Sequence, residues 1–203
     1  MPKSNPILYD IPMPIITSRL MIRPYQENDT TAIADALLES ADELKQWMPW
    51  AQNINTDSIH DFELLCIRSF MAKWMLREEL NMLIVDKNRA QIMGTIGLKS
   101  IDWSVPKMEI GYWLRTSMTG KGIMTEAVNA LTHYGFKQLN AKRIEIRCDE
   151  ANIKSRAIPK RLNFSEEGIL RNNDLTADGT LLRNTVIYAC YDISDLPDLN
   201  VTW

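Results

Sequence analysis

The first part of the chain has the residue spacing of one strand followed by helices. Over residues 17–25, Leu20 and Ile22 alternate with polar residues, which is the period of a half-buried strand. Asp29 follows in a position typical of a helix cap, and apolar residues then recur at helical spacing. Three helical pieces are predicted, with apolar faces formed by Ile33, Ala36 and Leu37; by Leu44, Trp47 and Met48; and by Ile59, Phe62, Cys66 and Phe70, the last piece opening at Asp57 or Ser58.

Beyond residue 80 the pattern switches repeatedly between strand and helix. A long helix over residues 121–139 and a short helix ending near Leu162 carry the helical spacing. Because a proline fits best at the start of a helix, Pro159 places the beginning of the short helix near Ser155. Further strands are predicted over residues 81–86, 91–101, 108–114, 143–149, 164–171 and 183–193. Together these elements predict an α/β fold of mixed α+β type, with a twisted mixed sheet of six or seven strands flanked by about four to five helices.

The composition fits one globular domain and excludes several other classes of protein. The chain has 203 residues, 45% of them hydrophobic and 24% charged, unlike collagen-like, low-complexity or disordered chains. Four prolines in residues 1–16 indicate an extended arm, so we place the domain at residues 17–193 and a tail at residues 194–203. No apolar run approaches the roughly 18 residues of a membrane span, and the N-terminus lacks the apolar region of a secretory signal.

Cysteine content and charge indicate the cellular compartment and the kinds of binding partner. Three cysteines form an odd and sparse set, which indicates free thiols and a cytoplasmic protein. The net charge of −3 argues against direct binding of nucleic acid. Residues 115–161 nevertheless hold 10 basic and 4 acidic residues, a balance that suits either a small polyanionic ligand or a solvated helix face. No membrane partner is expected, and we expect a monomer or a homodimer.

One junction between a strand and a helix carries the most specific chemical signal. A strand ending at Leu114 is followed by Gly120, Gly122 and a long helix. Glycines let backbone N–H groups approach a ligand closely, and the start of a helix attracts anions, so the junction predicts a phosphate site. A tight turn without a ligand is the alternative. Two other phosphate motifs are excluded, because Lys121 precedes the second glycine and Thr125 stands where a dinucleotide fingerprint needs Gly or Ala.

A series of short motifs runs through nearly the whole chain. They lie at residues 19–24, Asp29, Leu44, residues 47–50, 94–97, 109–114, 120–122 and 125–127, Asn152 with Ser155, Arg156 and Ala157, and residues 162–164 and 167–168. In this order and spacing they resemble the GNAT superfamily of acetyl-CoA-dependent N-acetyltransferases, in the RimJ/RimL-type branch that acetylates the N-termini of ribosomal proteins. Two positions depart from the family pattern: Ser117 stands where the phosphate loop usually has Arg or Gln, and Asn163 where Gly is frequent.

The resemblance implies where acetyl-CoA is held. Backbone groups of Trp113, Leu114 and Arg115 would bind the pantetheine arm. The pyrophosphate would lie against Thr119, Gly120, Lys121, Gly122, Ile123 and Met124, with Arg115 or Lys121 supplying the charge that Ser117 lacks. Asn152 would orient the reactants and Ser155 would protonate the departing thiolate, although both residue types are also favoured helix caps. No metal is implied.

The acceptor and the base are defined less sharply. The resemblance implies a protein N-terminal α-amino group; with a pKa of ~7.7–8.0 such a group is partly neutral near pH 7.5, so one carboxylate is enough as a base. The candidates are Glu109, on the strand beside the expected cleft, and Asp174, in the loop after the strand near Gly168. Trp47 and Trp50 are candidates for the acceptor wall, although tryptophans at such spacing usually belong to a core. Acetylation of a small amine, and CoA binding without catalysis, are the alternative functions.

Overall fold

An eight-stranded sheet organises the part of the chain that the computed structural model describes, residues 5–54 and 58–203. The strand order is β1-β2-β3-β4-β5-β6-β8-β7. In chain order the elements are β1 Ile15–Ile16, β2 Leu20–Pro24, α1 Thr30–Lys45, α2 Ile59–Leu76, β3 Leu80–Asp86, β4 Ile92–Asp102, β5 Lys107–Leu114, α3 Ile123–Lys137, β6 Arg143–Asp149, α4 Ile153–Arg161, β7 Ser165–Leu175 and β8 Leu182–Cys190. Neighbouring strands are antiparallel except β5 and β6, which run parallel.

Helices cover both faces of the sheet, as the side chains of strand β3 show. Met82 and Ile84 pack on the side of α3, while Leu83 and Val85 pack on the side of α1 and α2. All four side chains are at most 2% exposed. The continuous apolar run therefore belongs to a strand that is buried on both faces. The predicted mixed α/β class is confirmed.

The predicted number of strands, six or seven, is lower than the eight observed, and the seven predicted strand segments all lie in the sheet. The additional strand is β1, which lies within the predicted arm: Ile15 pairs with Ile22, and Ile16 forms a second backbone bridge with Thr202 near the C-terminus. The end of the predicted tail thus lies against the sheet. Residues 1–4 of the predicted arm are outside the described residues.

Two predictions about the first helices are wrong. Leu44 does not open a second helix but belongs to α1, which runs without a break to Lys45. Asp29 precedes α1 without capping it through its side chain, because both carboxylate oxygens bind the Arg23 guanidinium, with Oδ1 2.7 Å from Nη2. Of the two predicted starts of α2, Ser58 is the residue before its first turn, and Asp57 lies outside the described residues.

The sequence predicts that α4 begins near Ser155, so that Pro159 would lie close to its start. The helix instead begins at Ile153, and Pro159 lies two residues before its end. A proline there removes the N–H group that would bond the carbonyl of Ser155, four residues earlier. The Tyr112 hydroxyl from β5 donates to that carbonyl instead, with an O–O distance of 3.1 Å. A contact between two distant elements therefore compensates for the proline.

The parallel strands β5 and β6 stay together only over a short stretch. Their pairing runs from Lys107 opposite Arg143 to Glu109 opposite Glu145. Beyond these residues β5 continues beside β4, and β6 continues beside β8, as far as Asp149. The two strands therefore diverge and open a cleft in the middle of the sheet. None of the helices in residues 5–54 and 58–203 is both long and apolar enough to cross a membrane.

Candidate active site

The diverging ends of β5 and β6 lead into a cavity of about 860 Å³, which we name the cleft. Its walls are the end of β5, the following loop with the first turn of α3, helix α4, and the end of α1 with the residues after it. This volume is typical of a ligand site. Ten residues predicted from the sequence line it: Trp47, Trp113, Leu114, Thr119, Gly120, Gly122, Ile123, Met124, Asn152 and Ser155.

The loop before α3 has the geometry of an anion site. Gly120 and Gly122 have φ angles of +74° and +72°, in the left-handed region that favours glycine. A Cβ atom on Gly120 would have no heavy atom within 4 Å, so its conformation, and not crowding, requires glycine there. The first N–H groups of a helix have no partner inside the helix, and those of α3 begin at this loop. These features fit a pyrophosphate group.

The charged side chains of the loop are engaged within the protein. Arg115 forms an ion pair with Glu39, and the backbone N–H of Arg115 donates to Met93. The ammonium of Lys121 donates to the carbonyl of Ser117 at 2.7 Å. Neither Arg115 nor Lys121 is among the described residues that line the cleft. At the loop itself, the groups that face the cleft and can bind an anion are therefore backbone N–H groups, whereas the cations that line the cleft, Lys154 and Arg161, belong to α4.

Ser155 lies in the first turn of α4 and contacts β5. Its backbone N–H donates to Oδ1 of Asn152 at 3.0 Å. Asn152 therefore caps α4, which is the alternative role that its residue type indicated. The hydroxyl of Tyr112 lies 3.1 Å from the Ser155 hydroxyl and also donates to the Ser155 carbonyl. Burial raises the pKa of Tyr112, so this group stays protonated at neutral pH. Tyr112 was not predicted as a site residue. The signal for it was its position on β5, the strand that leads to residues 115–122, which we name the glycine loop.

A second cavity, of about 420 Å³, lies on the opposite face of the sheet, between α1, α2, β4 and β5. We name it the inner pocket. Met48, Tyr112 and Trp113 line both cavities, so the two meet at the end of β5. Trp50 lines the inner pocket, with its ring centre 6.5 Å from that of Trp113, whereas Trp47 lines the cleft.

The two carboxylates selected from the sequence are not among the described residues that line the cavities. Glu109 is 8% exposed and forms an ion pair with Lys99, with Oε1 3.0 Å from Nζ. Asp174 is not in a loop, as predicted, but in the exposed strand β7. A hydrogen bond from Arg183 lowers the pKa of Asp174, which weakens it as a base at neutral pH.

Glu63, a carboxylate in the inner pocket, was not predicted as a site residue. It lies on α2, is 5% exposed, and shares the buried side of that helix with Ile59 and Ile67. Burial raises the pKa of Glu63 to about 7. The signal was present in the sequence, because a glutamate four residues after Ile59 and four before Ile67 falls on the apolar side of a helix.

Relatives identified by sequence are acetyltransferases. "Putative ribosomal N-acetyltransferase YdaF" of Bacillus subtilis is 29% identical over 158 residues, which cover 77% of this chain and 84% of YdaF. The ribosomal-protein-serine acetyltransferase of Escherichia coli is 23% identical over 168 residues, which cover 80% of this chain and 88% of that protein.

Solved structures share the fold. RimL, a ribosomal L7/L12 α-N-protein acetyltransferase in complex with coenzyme A, matches with a TM-score of 0.78 and 23% identity, over 87% of this chain and 96% of RimL. The microcin C7 self-immunity acetyltransferase MccE, in complex with acetyl-CoA and AMP, matches with a TM-score of 0.79 and 24% identity, over 86% of this chain and 93% of that one. The family model for the acetyltransferase (GNAT) domain matches residues 19–165, most of the chain, and the chain therefore belongs to the GNAT family of acetyl-CoA-dependent N-acetyltransferases.

Proposed function

We propose that this acetyltransferase acts on the α-amino group at the N-terminus of a protein. Two relatives are named as ribosomal or ribosomal-protein acetyltransferases, and the structurally similar RimL is named as an α-N-protein acetyltransferase. The observation that carries the proposal is the meeting of two cavities at Tyr112 and Trp113. One cavity leads to the glycine loop, where a pyrophosphate fits. The other opens on the opposite face, so an amine approaches the same point from a different side. The three cysteines are free thiols, which agrees with a reducing compartment such as the cytoplasm.

Acetyl-CoA would bind in the cleft through backbone groups. Among the described residues, the edge of β5 that faces β6 has no strand partner beyond Glu109. Backbone groups of successive residues point to opposite edges of a strand, and those of Trp113 and Arg115 face β4, so the N–H and C=O groups of Leu114 are the ones left for the pantetheine arm. The pyrophosphate would lie against Thr119, Gly120, Gly122, Ile123 and Met124, where the helix start favours negative charge. Asn152 would act through the capped first turn of α4, which fixes the position of Ser155.

The reaction is a direct transfer in which both substrates are bound together. The amine nitrogen attacks the thioester carbonyl carbon, a C–N bond forms, and the C–S bond breaks. Ser155 would give its hydroxyl proton to the departing sulfur and regain one from solvent, while the proton lost by the amine passes to a carboxylate. Tyr112 keeps the serine hydroxyl at the junction of the two cavities through the 3.1 Å contact.

The inner pocket favours the end of a peptide over a large acceptor. Its lining is mainly aromatic and aliphatic, with Tyr25, Phe62 and Phe70 among the walls, and it has space for one or two small residues. The pKa of an α-amino group, ~7.7–8.0, leaves part of it neutral at pH 7.5, whereas a lysine side chain at ~10.4 is almost fully charged. An N-terminal α-amino group therefore requires a weaker base than a lysine side chain does.

A panel of acceptors tests the proposal. Release of CoA thiol is measured with peptides that begin with Ser or Ala, with the same peptides blocked at the α-amine but carrying a lysine, and with polyamines, amino acids and aminoglycosides. We expect kcat/KM for the free N-termini to exceed every other value by about tenfold or more, since 1.4 kcal/mol of differential binding gives that factor.

Two results of the panel contradict the proposal. Equal or faster turnover of a small amine would assign the enzyme to that acceptor class. Thermal stabilisation by CoA without turnover of any acceptor would instead indicate a binding module.

A further inference from the structure

The inner pocket contains one carboxylate without a cationic partner. Glu63 is 5% exposed and lines the pocket from α2. Among the described residues, no ion pair or hydrogen bond to its carboxylate is found, and burial alone accounts for its raised pKa. A buried carboxylate with no partner is costly, so its presence in a cavity points to a ligand that supplies one.

The charged groups around the pocket are paired with one another. Glu79, before β3, accepts from Lys73 at 2.8 Å and from Asn81 at 2.9 Å. Lys99 on β4 pairs with Glu109 at 3.0 Å. Neither of these lysines forms an ion pair with Glu63.

Two other titratable side chains near Glu63, those of Tyr25 and Cys66, stay protonated at neutral pH. Burial raises the pKa of Tyr25, at the end of β2, and raises that of Cys66, on α2 itself, to about 11. Asp29, at the start of α1, is bound by Arg23 at 2.7 Å. Glu63 is therefore the group of this set that can exchange a proton with a bound amine near pH 7.

We propose that Glu63 is the general base that accepts the proton of the acceptor amine in the inner pocket. This inference rests on the proposed function, because it requires an amine to enter from this side. An ammonium group that enters loses one proton to the Glu63 carboxylate, and the neutral nitrogen then attacks the thioester at the junction with the cleft. The second proton, which the nitrogen loses as the C–S bond breaks and the amide forms, passes to solvent, from which Ser155 regains the proton that it gave to the sulfur. The Glu63 carboxyl releases its proton to solvent after the product leaves. Glu109 and Asp174 are committed to Lys99 and Arg183 and take no part in this step.

The Glu63→Gln variant tests this role, because it keeps the shape of the side chain and removes the base. We measure the single-turnover rate at saturating acetyl-CoA and acceptor from pH 6 to 9. At pH 7 we expect a rate about 100-fold below that of the parent enzyme, which is the usual size of general-base catalysis. The deficit should shrink as the pH rises toward the pKa of the amine at ~8, since the amine then loses its proton unaided. A deficit that is constant over this range, or a rate within twofold of the parent, would overturn the proposal.

Two further variants separate the base from a structural effect. Glu63→Asp keeps a carboxylate and should retain the pH dependence with a smaller loss of rate. Asp61→Asn removes one negative charge from the exposed side of the same helix and should leave the rate unchanged. Loss of rate in Asp61→Asn equal to that in Glu63→Gln would assign the effect to α2 as a whole and reject Glu63 as the base.

Thermal unfolding gives a readout that needs no acceptor. Because the pKa of Glu63 is raised from 4.5 to about 7 in the folded protein, its charged form destabilises the fold as the pH rises through this interval. Glu63→Gln should therefore unfold roughly 7–14 °C above the parent at pH 8 and show no difference at pH 4.5. A melting difference that does not change with pH would contradict an unpaired Glu63.

The acceptor panel keeps the two proposals distinguishable. The rate test uses whichever amine the parent enzyme turns over fastest. Absence of peptide turnover therefore counts against the N-terminal acceptor alone, and a normal rate in Glu63→Gln counts against Glu63 alone. Should the parent turn over no amine, both proposals are rejected.

Discussion

Replacing Gly122 with valine is expected to weaken the binding of CoA by about 100-fold or more. Gly122 has a φ angle of +72° at the residue before α3, and a β-branched side chain adopts this conformation only with strain of about 1–3 kcal/mol. An added Cβ atom would make an ordinary van der Waals contact, 3.7 Å from Nη2 of Arg19, so backbone strain and not crowding is the effect of the substitution. The substitution therefore moves the N–H groups that face the pyrophosphate, and each 1.4 kcal/mol lost is a factor of ten in affinity.

Gly179→Val is the matched control for this substitution. Gly179 has a φ angle of +75° in the turn between β7 and β8, and it is not among the described residues that line the cleft. We expect a comparable loss of thermal stability in both variants, but a calorimetric titration should show normal affinity for CoA only in Gly179→Val. Affinity of Gly122→Val within threefold of the parent would show that the loop does not bind the pyrophosphate.

Ser155→Ala is expected to lower kcat by about 100-fold while leaving the affinity for CoA nearly unchanged, which is the size of effect expected for a lost general acid. The substitution removes a hydroxyl that lies 3.1 Å from that of Tyr112. The local structure should persist, because the backbone of residue 155 still binds Tyr112 and Asn152.

Steady-state kinetics with calorimetry of CoA binding measures both quantities. Ser165→Ala, at the exposed start of β7, is the control and should behave like the parent. A kcat of Ser155→Ala within twofold of the parent would remove Ser155 from protonation of the leaving thiolate.

The sequence was sufficient to predict elements whose burial is continuous or periodic. Strand β6 was predicted with the bounds that the structure shows, because Ile144 and Ile146 alternate with charged residues. The glycine loop was also predictable, since a positive φ angle and a helix start both leave a signature in the sequence.

Features that depend on distant partners were not predictable in this way. Strand β1 has two residues, and it exists because Ile22 and Thr202 provide backbone partners from other parts of the chain. Pro159 is tolerated late in α4 because Tyr112 replaces its missing donor. Asp29 has the residue type of a cap, but the nearby guanidinium of Arg23 competes for its carboxylate.

The candidate site was predictable on the side of the cleft and less so on the side of the acceptor. The loop that lines the cleft depends on backbone conformation, and the glycines that this conformation requires are visible in the sequence. The inner pocket is formed by side chains of helices and strands far apart in the sequence, such as Phe62 and Trp113. The only signal for Glu63 in the sequence is a charged residue on the apolar face of a helix. One such position does not reveal whether a cation pairs with the buried carboxylate.

A crystal of the protein soaked with CoA tests the assignment of the cleft most directly. We expect the pyrophosphate within hydrogen-bond distance, ~2.7–3.2 Å, of backbone nitrogens in residues 119–124, with the sulfur beside Ser155 where the cleft meets the inner pocket. CoA bound at another surface, or a cleft that stays closed to it at saturating concentration, would contradict the assignment of the cleft as the acetyl-CoA site.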